Sequence, residues 1–148
     1  MSQARVLCVR LPLDGMSLLL PYACVAEIVS LSLRAEDSAL LCEVDWRGIR
    51  VPVVSLERAC GEPIDVPRGR ARLAVLYGLH DRERTPYYAL LLNGVPRTDS
   101  LAAEDIVERA DGHGCDLLGM SVEVEGQSLF LPDLQALEAW LGQVRVAA

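Results

Sequence analysis

Lysine is absent from this 148-residue sequence; all fourteen basic residues are arginine. That absence excludes Schiff-base and pyridoxal chemistry, the phosphate-loop lysine and the protein-kinase strand lysine. Histidine is almost as scarce, with only His80 and His113 to supply imidazole for acid–base or zinc chemistry. No long apolar run exists either. No uncharged stretch exceeds twelve residues, and the one from Gly15 to Ala26 contains Pro21, whereas a helical span needs about 20. Arg10 and Asp14 interrupt any signal-peptide core. A cytoplasmic protein without direct membrane insertion is expected. The five cysteines, Cys8, Cys24, Cys42, Cys60 and Cys115, are odd in number and form no CxxC pair. Four of them lie in apolar or mixed strand-like runs, where a free thiol packs as a small hydrophobe, and this fits that compartment.

What is present is a globular composition: 51% hydrophobic and 24% charged residues. At this length one domain is expected, with a core that needs no staple or metal. The net charge of −7 disfavours nucleic acid and anionic membrane surfaces, both of which call for a basic face.

Short apolar runs and period-2 alternation dominate the chain. Arg5–Leu11 and Ser17–Leu20 are joined through Asp14-Gly15, and Val44–Trp46 and Ile49–Val54 flank Arg47-Gly48. Leu73–Leu79 and Tyr87–Leu92 flank the charged loop Asp81–Arg84, and Leu117–Val124 and Ser128–Leu131 meet at Glu125-Gly126-Gln127. About eight short strands result, the spacing of a small barrel or sandwich. Ser55–Cys60 reads as a short helix capped by Ser55 and stopped by Gly61. Pro132 suits the first turn of a terminal helix over 132–142, with Leu134, Leu137, Trp140 and Leu141 on one side. Glu36–Cys42 and Leu101–Arg109 are weaker helical candidates.

The segment from Gly61-Glu62-Pro63 to Pro67-Arg68-Gly69 separates two subdomains, roughly 5–62 and 71–131, between which strands can be exchanged. Val51–Leu56 and Leu129–Leu134 both run strand into helix, a faint internal repeat.

Catalytic sets fail on inspection. His113-Gly114-Cys115 offers two ligands, and no second pair completes a zinc site. Gly112-x-Gly114 lacks the third glycine and the preceding strand of a dinucleotide fingerprint. Ser17 and Ser121 have glycine two residues before them but Leu19 and Glu123 two after, so neither forms a nucleophile elbow. Glu123 and Glu125 alternate outward beside a hairpin, as a solvated strand face does. No catalytic residue, cofactor or metal is expected.

Trp46-Arg47-Gly48 stands out: an aromatic, a forked guanidinium and a turn glycine at one hairpin tip. Trp and Arg are enriched among interface hot spots, and Arg grips carboxylates bidentately. Two readings stay open at this point: a partner contact, or a core-capping Trp46 beside a solvated Arg47.

The stretch Asp45-Trp46-Arg47-Gly48-Ile49-Arg50-Val51-Pro52-Val53-Val54-Ser55-Leu56 resembles the Asn-Leu-Arg-Gly-x-x-x-Pro-Val-x-Asp-Leu pattern of the CheW-like domain of bacterial chemotaxis adaptors. Leu18-Leu19-Leu20-Pro21 followed by Val25-Ala26-Glu27-Ile28-Val29 is similar to that family's N-terminal pattern. Tyr88–Val95, Leu118-Gly119-Met120 and Leu129–Leu134 follow in the family's order, so the likeness runs from about Val6 to Leu137. Trp46 replaces an aliphatic residue, Ser55 an aspartate and Cys42 a glycine, and Ser32–Leu41 lacks the usual proline-containing segment. These variants look most like ChpC-type proteins of chemosensory pili systems.

The resemblance implies a mainly β fold of two packed five-stranded SH3-like barrels with a short C-terminal helix. It implies a non-catalytic adaptor between the cytoplasmic tip of a methyl-accepting chemoreceptor and the regulatory domain of a CheA-type histidine kinase. Type IV pilus or twitching motility is the implied output. Arg47 matches the arginine tied to receptor contact, with Trp46 and Gly48 as its partner-binding neighbours. The competing reading is a small-ligand-binding or thiol/metal-dependent β-barrel protein.

Overall fold

The computed structural model describes residues 4–34, 37–110, 112 and 114–147, the last two of these as backbone only. Its eleven strands form two curled sheets. The first sheet contains β1 (Arg5–Pro12), β2 (Ser17–Pro21), β8 (Arg97–Ala102), β9 (Val107–Glu108), β10 (Met120–Val124) and β11 (Gln127–Leu131), in the order β8-β1-β2-β11-β10-β9. The second contains β3 (Val25–Leu33), β4 (Leu40–Trp46), β5 (Ile49–Val54), β6 (Gly69–Tyr77) and β7 (Tyr87–Leu91), in the order β3-β6-β7-β5-β4. Helix α1 (Leu56–Ala59) follows β5, and α2 (Leu134–Ala147) follows β11.

The strand-into-helix repeat has a structural counterpart. The hairpin β4–β5 pairs parallel with β7 through Val53↔Ala89, and the hairpin β10–β11 pairs parallel with β2 through Phe130↔Leu18. Each sheet therefore draws strands from both sides of residues 61–69, so the two halves of the chain are interleaved rather than stacked.

Period-2 side-chain alternation explains why the central strands read as unbroken apolar runs. On β6, Ala74 and Leu76 face the layer between the sheets, and Leu73 and Val75 face the interior of the second sheet. On β7, Tyr88 and Leu90 take the first direction and Ala89 and Leu91 the second. The layer between the sheets also holds Val9, Leu11, Leu18, Leu20 and Leu56, and α2 closes it with Leu137 and Leu141. A smaller core of Cys8, Leu19, Leu101, Val122, Val124 and Leu129 fills the first sheet. Arg10, buried beside it, donates to Asp99 Oδ2 at 2.7 Å and to Gln127.

Capping follows the sequence. Ser55 Oγ accepts from Arg58 N at 3.1 Å, and Gly61 ends that turn at φ +90°. At α2, Asp133 Oδ1 accepts from Ala136 N at 3.0 Å, so Pro132 precedes the cap instead of occupying the first turn. Gly119 is sterically required: a Cβ there would meet Leu131 O at 2.2 Å, and its φ is +64°.

Three expectations need correction. Beyond the eight expected strands come β3, β8 and β9. The candidate helix Leu101–Arg109 is instead the end of β8, a 3-10 turn at Ala103–Asp105 and β9. The candidate helix Glu36–Cys42 gives way to the start of β4, because pairing with β5 across a bulge at Leu40/Cys42 satisfies its backbone (Glu36 itself lies outside the described residues). A further correction concerns cysteine: Cys60 and Cys115 form a disulfide with Cα atoms 5.5 Å apart. The fold brings the end of α1 against the segment before β10, within bridging distance, although 55 residues separate the two in sequence. Cys8, Cys24 and Cys42 remain thiols.

Candidate functional site

The β4–β5 hairpin closes with two residues of positive φ, Arg47 at +50° and Gly48 at +77°. That is the signature of a type I′ turn, whose twist matches the flanking strands. Nothing lies within 4 Å of a Cβ built on Gly48, so its glycine answers to backbone conformation alone. Arg47 carries a side chain in a left-handed conformation and presents it at 67% exposure.

Trp46 turns the other way. It is buried to 7% exposure, with its ring 4.8 Å from that of Tyr87, which in turn stands 5.7 Å from the exposed Tyr77. Its indole Nε1 donates to Glu27 Oε1 at 2.9 Å. The same oxygen lies 3.1 Å from the Arg47 guanidinium, whose Cζ stands 5.0 Å from the centre of the Trp46 ring. Glu27 sits on β3 and Trp46 on β4, so this bond also joins the two outer strands of the second sheet.

The result is a cation held at a hairpin tip by a ring face and one half-exposed carboxylate. An exposed ion pair of this kind contributes little to stability, about 0–1 kcal/mol. Its chemistry is therefore available: an incoming carboxylate can replace Glu27 as the partner of Arg47 at low cost. Glu27 and Tyr87 are the site neighbours that residue-by-residue reading missed. Glu27 does stand within the Val25–Val29 motif, which was the available signal.

The remaining candidates do not converge. Ser17 opens β2 and Ser121 lies buried in β10, each within a ladder. His80 is exposed, and its backbone N–H donates to Glu138 at 3.0 Å. His113 lies outside the described residues. Among the described residues no three His, Cys, Asp or Glu side chains are grouped to hold a metal. Burial pushes the Cys8 and Cys24 thiols above the usual cysteine range, with the Asp99 charge adding to the effect at Cys8, which makes both weaker nucleophiles. Glu123, read as a solvated face, pairs with Arg109 at 2.8 Å. A surface groove of about 940 Å³ runs beside α2, lined by His80, Arg84, Glu138 and Arg145 among others. Its buried carboxylate, Glu138, is already engaged by the backbone N–H groups of Leu79 and His80. No helix among the described residues is long and apolar enough to cross a membrane.

Comparison with known proteins gives this geometry a context. The curated proteins contain no match. Among solved structures, the fold is similar to that of the scaffolding protein TtCheW from Thermoanaerobacter tengcongensis, with a TM-score of 0.71 at 13% identity. That likeness covers 88% of this chain and 90% of the other, and it establishes the shared fold of two SH3-like units. The model of the CheW-like domain matches residues 5–140. The chain belongs to the CheW-like domain family.

Proposed function

We propose that this protein is a non-catalytic, cytoplasmic adaptor of chemotaxis-type signalling. It couples the cytoplasmic tip of a methyl-accepting chemoreceptor to the regulatory domain of a CheA-type histidine kinase. Its sequence variants at Trp46, Ser55 and Cys42 favour the ChpC-type subgroup, and hence a pathway that controls type IV pili and twitching motility. The observation that carries the reading is Arg47, which is exposed at a hairpin tip, rests on the Trp46 ring and pairs with a replaceable surface carboxylate.

In this reading Arg47 is the contact residue, forking onto a carboxylate of the receptor tip. Trp46 supplies the ring on which the guanidinium rests, and Gly48 fixes the turn that aims it. The lack of lysine, the scarcity of histidine and the net charge of −7 agree with a protein-binding module and with neither nucleic acid nor membrane as the partner. Each contact in such an assembly can be small and weak, with avidity supplied by the array.

Titration calorimetry against the regulatory domain of the same organism's CheA-type kinase tests the bridging role. Micromolar binding that a receptor-tip fragment joins without competition is the expected result. No heat with either folded partner would refute the adaptor reading.

A further inference from the structure

The Cys60–Cys115 disulfide has no part in the adaptor reading, yet it joins two places 55 residues apart in the sequence. Cys60 caps the end of α1, where its backbone N–H donates to Leu56 O at 3.0 Å. Cys115 lies in the segment between β9 and β10. Around Cys115 two backbone bonds are local, Gly112 N to Ala110 O at 3.1 Å and Leu118 N to Cys115 O at 3.1 Å, and the first long-range one after it comes at Leu117 O, which accepts from Asp133 N at 3.0 Å. Among the described residues, the segment's buried anchors, Leu117 and Leu118, come after the cysteine. Both bridged cysteines are half-buried at the edge of the core rather than sealed within it.

We propose that Cys60–Cys115 is a reversible thiol–disulfide exchange site, opened by low-molecular-weight thiols of the glutathione class, and that opening it releases Gly114–Asp116 from α1. A thiolate attacks one sulfur of the pair; a mixed disulfide forms as the Cys60–Cys115 bond breaks, and the departing thiolate takes a proton from water. A second thiol attacks the mixed disulfide, leaving two protein thiols and one oxidised small-molecule disulfide. The oxidised small molecule reverses both steps, so electrons and protons balance in each direction.

Three observations support the assignment. Disulfides in reducing compartments are most often transient or redox-sensing, and that compartment is taken from the adaptor reading. The bond spans 55 residues and ties α1 of one sheet to the entry of β10 in the other. The thiols of buried Cys8 and half-buried Cys24 are held in their neutral form by their surroundings, so they make poor competitors for exchange.

The test uses the full chain, equilibrated in mixtures of reduced and oxidised glutathione, acid-quenched, unfolded and alkylated for peptide mass analysis. Cys60 and Cys115 should become alkylated together in one reversible transition, while Cys8, Cys24 and Cys42 are alkylated throughout. Amide exchange at Gly112 and over Gly114–Asp116 should speed up roughly tenfold or more on reduction, as expected when a local restraint is lost. A Cys60→Ser/Cys115→Ser variant should exchange at the reduced rate in every mixture. Alkylation of both cysteines in all mixtures, of neither in any, or unchanged amide exchange on reduction would each overturn the proposal. None of these readouts requires a kinase or receptor, so failure of the adaptor reading leaves them intact.

Discussion

Two hairpin tips occupy corresponding places in the two sheets, Arg47-Gly48 between β4 and β5 and Glu125-Gly126 between β10 and β11. Their backbones agree: φ is +50° and +77° at the first, +50° and +80° at the second. Their charges are opposite, and so is what lies beneath. Arg47 rests on the ring of Trp46 and pairs with a half-exposed carboxylate. Glu125 is 71% exposed and reaches 3.7 Å toward Arg10, whose side chain is 6% exposed and also engages Asp99. The same turn thus carries a cation free to change partners in one sheet, and covers a buried cation that is already committed in the other. Turn geometry comes with the fold; availability for binding comes from the support under the tip.

Predictions that break or sharpen this comparison run from large effects to small. Trp46→Ala should cost about 3–4 kcal/mol in denaturant unfolding, since it empties a buried aromatic site and removes the bond to Glu27. Arg10→Ala should cost about 2–3 kcal/mol by the same measurement, because Asp99 loses a close, largely buried partner.

A pH titration of stability probes the layer between the sheets, away from the tips. Burial, aided by the nearby charge of Glu138, pushes the Tyr88 hydroxyl well above the usual tyrosine range. The unfolded chain ionises first, near pH ~10. Stability tied to this group is therefore fully present below that pH and falls above it, by about 1.4 kcal/mol per pH unit. Tyr88→Phe should flatten this alkaline slope. Its effect at neutral pH should be small, because the hydroxyl has no hydrogen-bond partner among the described residues.

Gly48→Ala and Gly126→Ala should each cost about 1 kcal/mol, a matched pair set by positive φ alone. Arg47→Ala should change stability by less than about 0.5 kcal/mol, in contrast to Arg10→Ala.

Local features of the fold were legible in the sequence and distant ones were not. Asp14-Gly15, Arg47-Gly48 and Gly126 marked hairpins because positive φ selects residue types directly. Ser55 was legible as a cap because its hydroxyl bonds within its own turn. Strand β3 was missed: a register shift between Val25 and Glu27 and a run of half-buried positions blur its alternation. Sheet membership was hidden because the parallel pairings β5·β7 and β11·β2 join segments far apart in the chain. The Cys60–Cys115 bond was hidden for the same reason. At the site, Arg47, Trp46 and Gly48 were singled out as one motif, whereas Glu27 came from another strand and Tyr87 from a third. Sequence reading found the tip, and tertiary structure supplied its support.

The most direct test of the central claim is a calorimetric titration of a receptor-tip fragment into wild-type protein and into Arg47→Glu, with thermal unfolding of both recorded alongside. The account predicts unfolding midpoints that coincide and an affinity reduced by at least roughly tenfold, about 1.4 kcal/mol. Equal affinity for the two proteins, with both folded, would contradict it.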